Sequence, residues 1–175
     1  MIGLDIDGTL LDYEQECPPR VNRVLLARLP HDEPVALISN QGDIPFALAG
    51  LERKGSPVPY PTPLRFAARL LCLLEALRAE GVQVARVLVC VYHPSIDTAY
   101  IGMAASQVAR FLAGVPLVCI SEVPDWRKPM PTMLQLAEVT EFWGDSSVDG
   151  EAARIAGVPF VKVARFPTVV IGAHP

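Results

Sequence analysis

Ile2-Gly3-Leu4-Asp5-Ile6-Asp7-Gly8-Thr9 begins as an apolar run and ends in two acids, a glycine and a threonine. So short an apolar run, bounded by a turn signal, reads as a buried strand over residues 2–7 that delivers carboxylates at its C-terminal end. Gly8 marks the turn that follows. The same phrase recurs along the chain. Residues 35–39 (VALIS) read as a second buried strand before the turn Asn40-Gln41-Gly42-Asp43. Residues 84–91 (VARVLVCV), 115–120 (VPLVCI) and 158–163 (VPFVKV) read as further strands, and 139–144 (VTEFWG) leads into a core strand ahead of Asp145.

Helical stretches separate these runs: Val21 to Leu29, Ile44 to Lys54 up to Gly55, an amphipathic 64–80 ended by Gly81, then 98–112, 131–138 and 149–156. The proline-rich 56–63 reads as a surface connection. Apolar strands alternating with helices imply an α/β domain with a parallel sheet and helices on both faces. Ligands of such sheets sit at the carboxyl ends of the strands. The polar clusters of this chain fall there: Asp5 and Asp7, Ser39 and Asn40, Asp145.

A chain of 175 residues, 51% of them hydrophobic, suits one domain over 1–175 with a full core. A formal charge of -4 argues against nucleic acid as the default partner, because that affinity comes mainly from cations meeting phosphates. Apolar runs such as Val87 to Val91 fall far short of the ~20 residues a membrane span needs. Met1-Ile2-Gly3-Leu4 runs into the first motif with no basic head or cleavage site of a signal peptide. Cys17, Cys72, Cys90 and Cys119 show no CxxC spacing, and free thiols in a reducing cytoplasm are the expectation.

Four motifs carry chemistry. In Asp5-Ile6-Asp7-Gly8-Thr9 the two acids, at i and i+2, would share a face of an ideal strand. One carboxylate can attack phosphorus; the other can give a proton to the departing alkoxide and then take one from water. Gly8 lets the backbone turn tightly beside a ligand. Ser39-Asn40 offers a hydroxyl and nearby N–H groups to phosphoryl oxygens, or simply opens a turn. In Arg127-Lys128-Pro129 the lysine can neutralise charge that builds on a phosphoryl group; the alternative is a solvated pair with Pro129 at the first helical position. In Gly144-Asp145-Ser146-Ser147-Val148-Asp149-Gly150, Asp145 ends a strand and suits a hard divalent cation, while Asp149 or Ser147 can cap the helix that follows.

Taken together and in this order, DIDGT, SNQ, RKP and GDSSVD resemble the four motifs of the haloacid dehalogenase superfamily of phosphotransferases, over Ile2 to about Val163. The resemblance implies a Rossmann-like core, Mg²⁺ and an aspartyl-phosphate intermediate. It implies Asp5 as nucleophile, Asp7 as acid/base, and Ser39 and Lys128 as phosphate ligands. Asn40 and Arg127 would bind substrate. Asp5, Asp145 and the backbone carbonyl of Asp7 would hold the metal, with Asp149 assisting from behind.

The SNQ–RKP pairing resembles the branch that contains histidinol-phosphate, heptose-bisphosphate and polynucleotide phosphatases, whose members usually lack a large cap. Some of these carry a zinc loop. This chain keeps Cys90, His93 and Cys119 but lacks the cysteine pair before RKP. The expected activity is phosphomonoester hydrolysis on a small phosphorylated metabolite. A nucleic-acid 3'-phosphatase, with Arg20 and Arg23 as candidate contacts, is the alternative, and an inactive binding domain the second. Asp7 argues against an ATPase, since ADP leaves without a proton donor. Residues 95–125 are apolar and helix-rich and are expected to form a small insertion, a lid or an association surface. Loops 10–20, 42–46 and 92–100 would read the leaving group.

Overall fold

Val35 and Leu37 lie in one apolar cluster, Ala36 and Ile38 in another, and all four are buried. Val87 and Val89 against Leu88 and Cys90 repeat the division. Successive residues of a strand point to opposite sides, so the sheet that holds these two strands is dry on both faces. In the computed structural model, which describes residues 1–12, 18–56, 58–115 and 117–164, six strands form that sheet. They are β1 (Ile2–Leu4), β2 (Val35–Asn40), β3 (Val84–Cys90), β4 (Val118–Ser121), β5 (Glu141–Gly144) and β6 (Phe160–Lys162). The order is β4-β3-β2-β1-β5-β6 and every pairing is parallel. This is an α/β, Rossmann-like architecture.

Helices α1 (Arg23–Leu26), α3 (Pro63–Ala79) and α4 (Thr98–Phe111) cover one face; α5 (Thr132–Leu136) and α6 (Ser147–Ala156) cover the other. A short α2 (Ile44–Leu48) follows β2, and a 3-10 turn, Pro124–Trp126, precedes the RKP motif. The longest helix shows its sequence logic plainly. Thr62 caps it by accepting from Arg65 N at 3.2 Å, Pro63 stands at its first turn, and Phe66, Leu70, Leu73 and Leu77 form the buried stripe. No helix among the described residues is long and apolar enough to cross a membrane.

Several elements are shorter than expected, each for a local reason. β1 stops at Leu4: the N–H groups of Leu10 and Leu11 both bond Ile6 O, and Gly8 N bonds Leu11 O, so the chain coils after Asp5. Asp5 and Asp7 therefore do not share a strand face. Past Ala27 the stretch expected to be helical to Leu29 tightens into i to i−3 bonds, and the next residue, Pro30, has no N–H. α2 ends at Leu48 rather than Lys54 because Gly50 turns left-handed, φ 68°. Pro129 lies outside any helix, since α5 begins at Thr132. Residues 95–125 are built into the sheet as α4 and the edge strand β4, which pairs with β3. Cys17, the middle of the 10–20 loop and Pro57 lie outside the described residues.

Beneath α5 and α6 the packing turns on Phe142, fully buried. A Cβ on Gly3 would stand 2.9 Å from the Phe142 ring, so the glycine on the neighbouring strand is what admits the ring. Phe142→Ala is expected to cost about 3–5 kcal/mol of stability, measured by urea unfolding. A loss below ~1 kcal/mol would mean that this face of the sheet does not depend on the ring.

Candidate active site

The chain runs outward from β1 through β2 and β3 to β4, then returns to place β5 on β1's other side. The strand order reverses there, and in open α/β sheets ligands bind at such a switch point. Asp5 follows β1 and Asp145 follows β5; Asp5 N still bonds Trp143 O at 2.9 Å, which fixes the first acid against the second strand.

Lys128 Nζ lies at the centre. It donates to Asp5 Oδ1 at 2.5 Å, to Asp149 Oδ1 at 2.6 Å and to Ile38 O at 3.3 Å, and stands 5.3 Å from the centre of the Phe142 ring. Asp5, Lys128, Asp145 and Asp149 are all buried. Burial alone would lower the lysine's pKa, but Asp5 and Asp149 outweigh it and hold the ammonium above the usual lysine value. Burial also pushes the Asp5 carboxyl from 3.8 to about 7; Lys128 pulls against that rise, and Asp149 and Asp7 add to it.

Two side chains lock the lysine in place. Asn40 donates from Nδ2 to Lys128 O at 3.0 Å and accepts from Lys128 N at 2.9 Å, across 88 residues of sequence. Both ends of the amide are thus engaged with the lysine's backbone, so Asn40 positions Lys128. Asp149 is held from its own helix. Ser146, not Ser147 or Asp149, is the N-cap of α6, and Asp149 Oδ2 accepts from Ser146 N at 3.1 Å in a capping box. Asp149 can come this close because residue 144 is glycine: a Cβ there would lie 2.6 Å from Asp149 Cβ.

Asp7 stands at the edge of this cluster, with its side chain 22% exposed. Burial raises its pKa, against Gln41 and Arg69, which lower it. Gln41 Nε2 donates both to Asp7 Oδ2 and to the buried Ser39 Oγ. Thr9 Oγ1 donates to Asp5 Oδ2 at 3.3 Å. Gln41 and Thr9 were absent from the expected site although both lie inside quoted motifs, SNQ and DIDGT. Arg127 is half-buried and donates to Tyr92 O at 2.9 Å; its guanidinium occupies the place a Cβ on Gly42 would fill.

Among the described residues, the set of three metal-type ligands that comes together is Asp5, Asp145 and Asp149, with one ligand atom from each within 4.8 Å of the others. Hard oxygen donors suit a cation such as Mg²⁺. Three carboxylates against one ammonium leave two negative charges, which a divalent cation would balance. Asp5 and Asp145 stand at the carboxyl ends of the paired strands β1 and β5, which suits them to ligation, while Asp149 braces Lys128 and Ser146 from α6. Cys90, His93 and Cys119 form no such set: the Cys90 thiol donates to Val123 O, His93 Nδ1 accepts from Ser95 N and its ring meets Phe46 edge-on. Arg23 pairs with Glu80, which follows α3 and precedes β3, and so lies towards the amino ends of the strands. Comparison of the chain with protein-family models, curated proteins and solved structures finds no match.

Gly144→Ala is expected to displace Asp149 and to cost about 1–3 kcal/mol, read by thermal unfolding; an unchanged Tm would show that α6 can shift freely. In the metal-free protein the raised Asp5 carboxyl is a contribution that costs stability progressively as pH climbs from about 4 through about 7. Asp5→Asn removes that loss. In EDTA its Tm should exceed that of wild type at pH 8, by stability on the order of 4 kcal/mol at most, and by much less at pH 5. The same difference at both pH values would contradict the assignment.

Proposed function

We propose that this chain is a Mg²⁺-dependent phosphomonoester hydrolase of the haloacid dehalogenase type that acts on a small phosphorylated metabolite. The observation that carries the proposal is the Asp5–Lys128–Asp149 bridge beside Asp7, assembled from both ends of the sequence at the switch point of a parallel sheet. A nucleophile, a separate proton donor and a fixed cation within one small region are what phosphoryl transfer requires.

In this reading an Asp5 carboxylate oxygen forms a bond to phosphorus while the bond from phosphorus to the leaving oxygen breaks. Asp7 passes its proton to that oxygen and the alcohol departs. Asp7 then takes a proton from water, whose oxygen attacks phosphorus; the Asp5–phosphorus bond breaks, and inorganic phosphate leaves with the carboxylate restored. Lys128 holds Asp5 in one orientation and offsets negative charge on the phosphoryl oxygens. The Ser39 hydroxyl, anchored by Gln41, is the side chain suited to donate to a phosphoryl oxygen. Mg²⁺, held by Asp5, Asp145 and the Asp7 carbonyl, would supply charge neutralisation that lets an anionic carboxylate approach an anionic ester.

Asp5→Asn is expected to lower turnover by about a thousandfold or more while the protein remains folded, measured by phosphate release with circular dichroism as the control. Substantial residual activity in a clean preparation would refute the nucleophile. Turnover that persists in excess EDTA would refute the metal requirement. A phosphorylated oligonucleotide hydrolysed far more efficiently than any metabolite, with steep loss as salt rises, would overturn the substrate class.

A further inference from the structure

Arg69 stands where the sequence pattern of α3 calls for an apolar residue. It lies on the stripe between Phe66 and Leu73 and is 2% exposed, the largest fully buried side chain of the described residues. A buried guanidinium costs several kcal/mol in desolvation, so its partners identify its purpose. Arg69 Nη2 donates to Asp12 O at 2.6 Å and to Asp12 Oδ1 at 3.4 Å, and lies 3.9 Å from Asp7 Oδ1. Asp12 is as buried as the arginine, and among the described residues its second oxygen, Oδ2, meets no donor. An ion pair kept for stability alone would satisfy both carboxylate oxygens or be replaced by apolar side chains. This one does neither, and it abuts the acid/base residue.

The opposite oxygen of Asp7 is held by Gln41, whose backbone N–H is itself tied to Cys90 O at 2.7 Å. The carboxyl of Asp7 thus lies between an amide fixed to β3 and a guanidinium fixed in α3. Asp7 also bridges to Leu11, beside Asp12, so the same arginine fastens the segment that leaves the site. We propose that Arg69 is a positioning residue for Asp7: through the Asp12 anchor it fixes, together with Gln41, the direction in which the Asp7 carboxyl faces the leaving oxygen. The inference rests on the phosphomonoesterase reading with Asp7 as proton donor.

Direction matters only where a proton must be delivered. An aryl phosphate such as p-nitrophenyl phosphate releases a stable phenolate without much protonation, whereas glycerol phosphate releases an alkoxide that needs the proton. Arg69→Met keeps the length of the side chain and removes the contact with Asp7. With Mg²⁺ present, it is expected to lower kcat for glycerol phosphate about tenfold to a hundredfold more than kcat for p-nitrophenyl phosphate, with KM little changed for either ester. Arg69→Lys should recover part of the glycerol phosphate rate. Gln41→Met, which removes the other tether without exposing a buried charge, should show the same split and serves if Arg69→Met does not fold. Equal losses on both esters, or no loss, in either variant would overturn the positioning role while leaving the phosphatase intact. A wild-type protein that hydrolyses neither ester would overturn the phosphomonoesterase reading itself, and the positioning role with it.

Discussion

One ammonium group, buried between two carboxylates, organises this molecule. Asp5 and Asp149 together outweigh the burial that would lower the Lys128 pKa, and the lysine in turn pulls against the rise that burial imposes on Asp5. That coupling ties three distant parts of the chain together: the first strand, the RKP segment and the last long helix. The smaller features follow from it. Gly144 is a glycine because Asp149 must approach; Asn40 faces the backbone of residue 128 because the lysine must be aimed; Gly3 is a glycine because Phe142 lies beneath the ammonium.

The layers were legible because burial on both sides of a parallel sheet leaves unbroken apolar strands, and VALIS and VARVLVCV have that form. Strand ends were legible because the acids follow the apolar runs directly. Element lengths were not, since they depend on competitors that periodicity does not register: the coil after Asp5, the left-handed Gly50, the 3-10 tightening ahead of Pro30. Within residues 95–125 the helix and the strand were legible from their apolar patterns, but the pairing of that strand with β3 at the sheet's edge emerges only in three dimensions.

At the site, the residues of the four motifs converge, but composition says little about which side chain holds which. Asn40 read as a polar strand-end residue beside Ser39; that its side-chain amide grips the backbone of Lys128 shows only in the fold. Arg69 carried a legible signal, a cation on the apolar stripe of a helix, which demands an acidic partner. The identity of that partner, Asp12 with Asp7 beyond it, depends on how the chain coils after β1. The division of labour among the carboxylates is likewise a matter of neighbours. Asp5 is tied to the lysine, Asp149 supports both lysine and helix, and Asp7 sits at the more open edge where a leaving group and then a water molecule would have to pass.

The central claim is covalent: the phosphoryl group resides on Asp5 during turnover. Acid quenching during steady-state hydrolysis, followed by proteolysis and mass spectrometry, tests it directly. The account predicts a phosphorylated N-terminal peptide, modified at Asp5, lost on treatment with hydroxylamine and absent from Asp5→Asn. Brisk turnover with no phosphorylated peptide under conditions that preserve acyl-phosphates, or phosphate on a different residue, would contradict it.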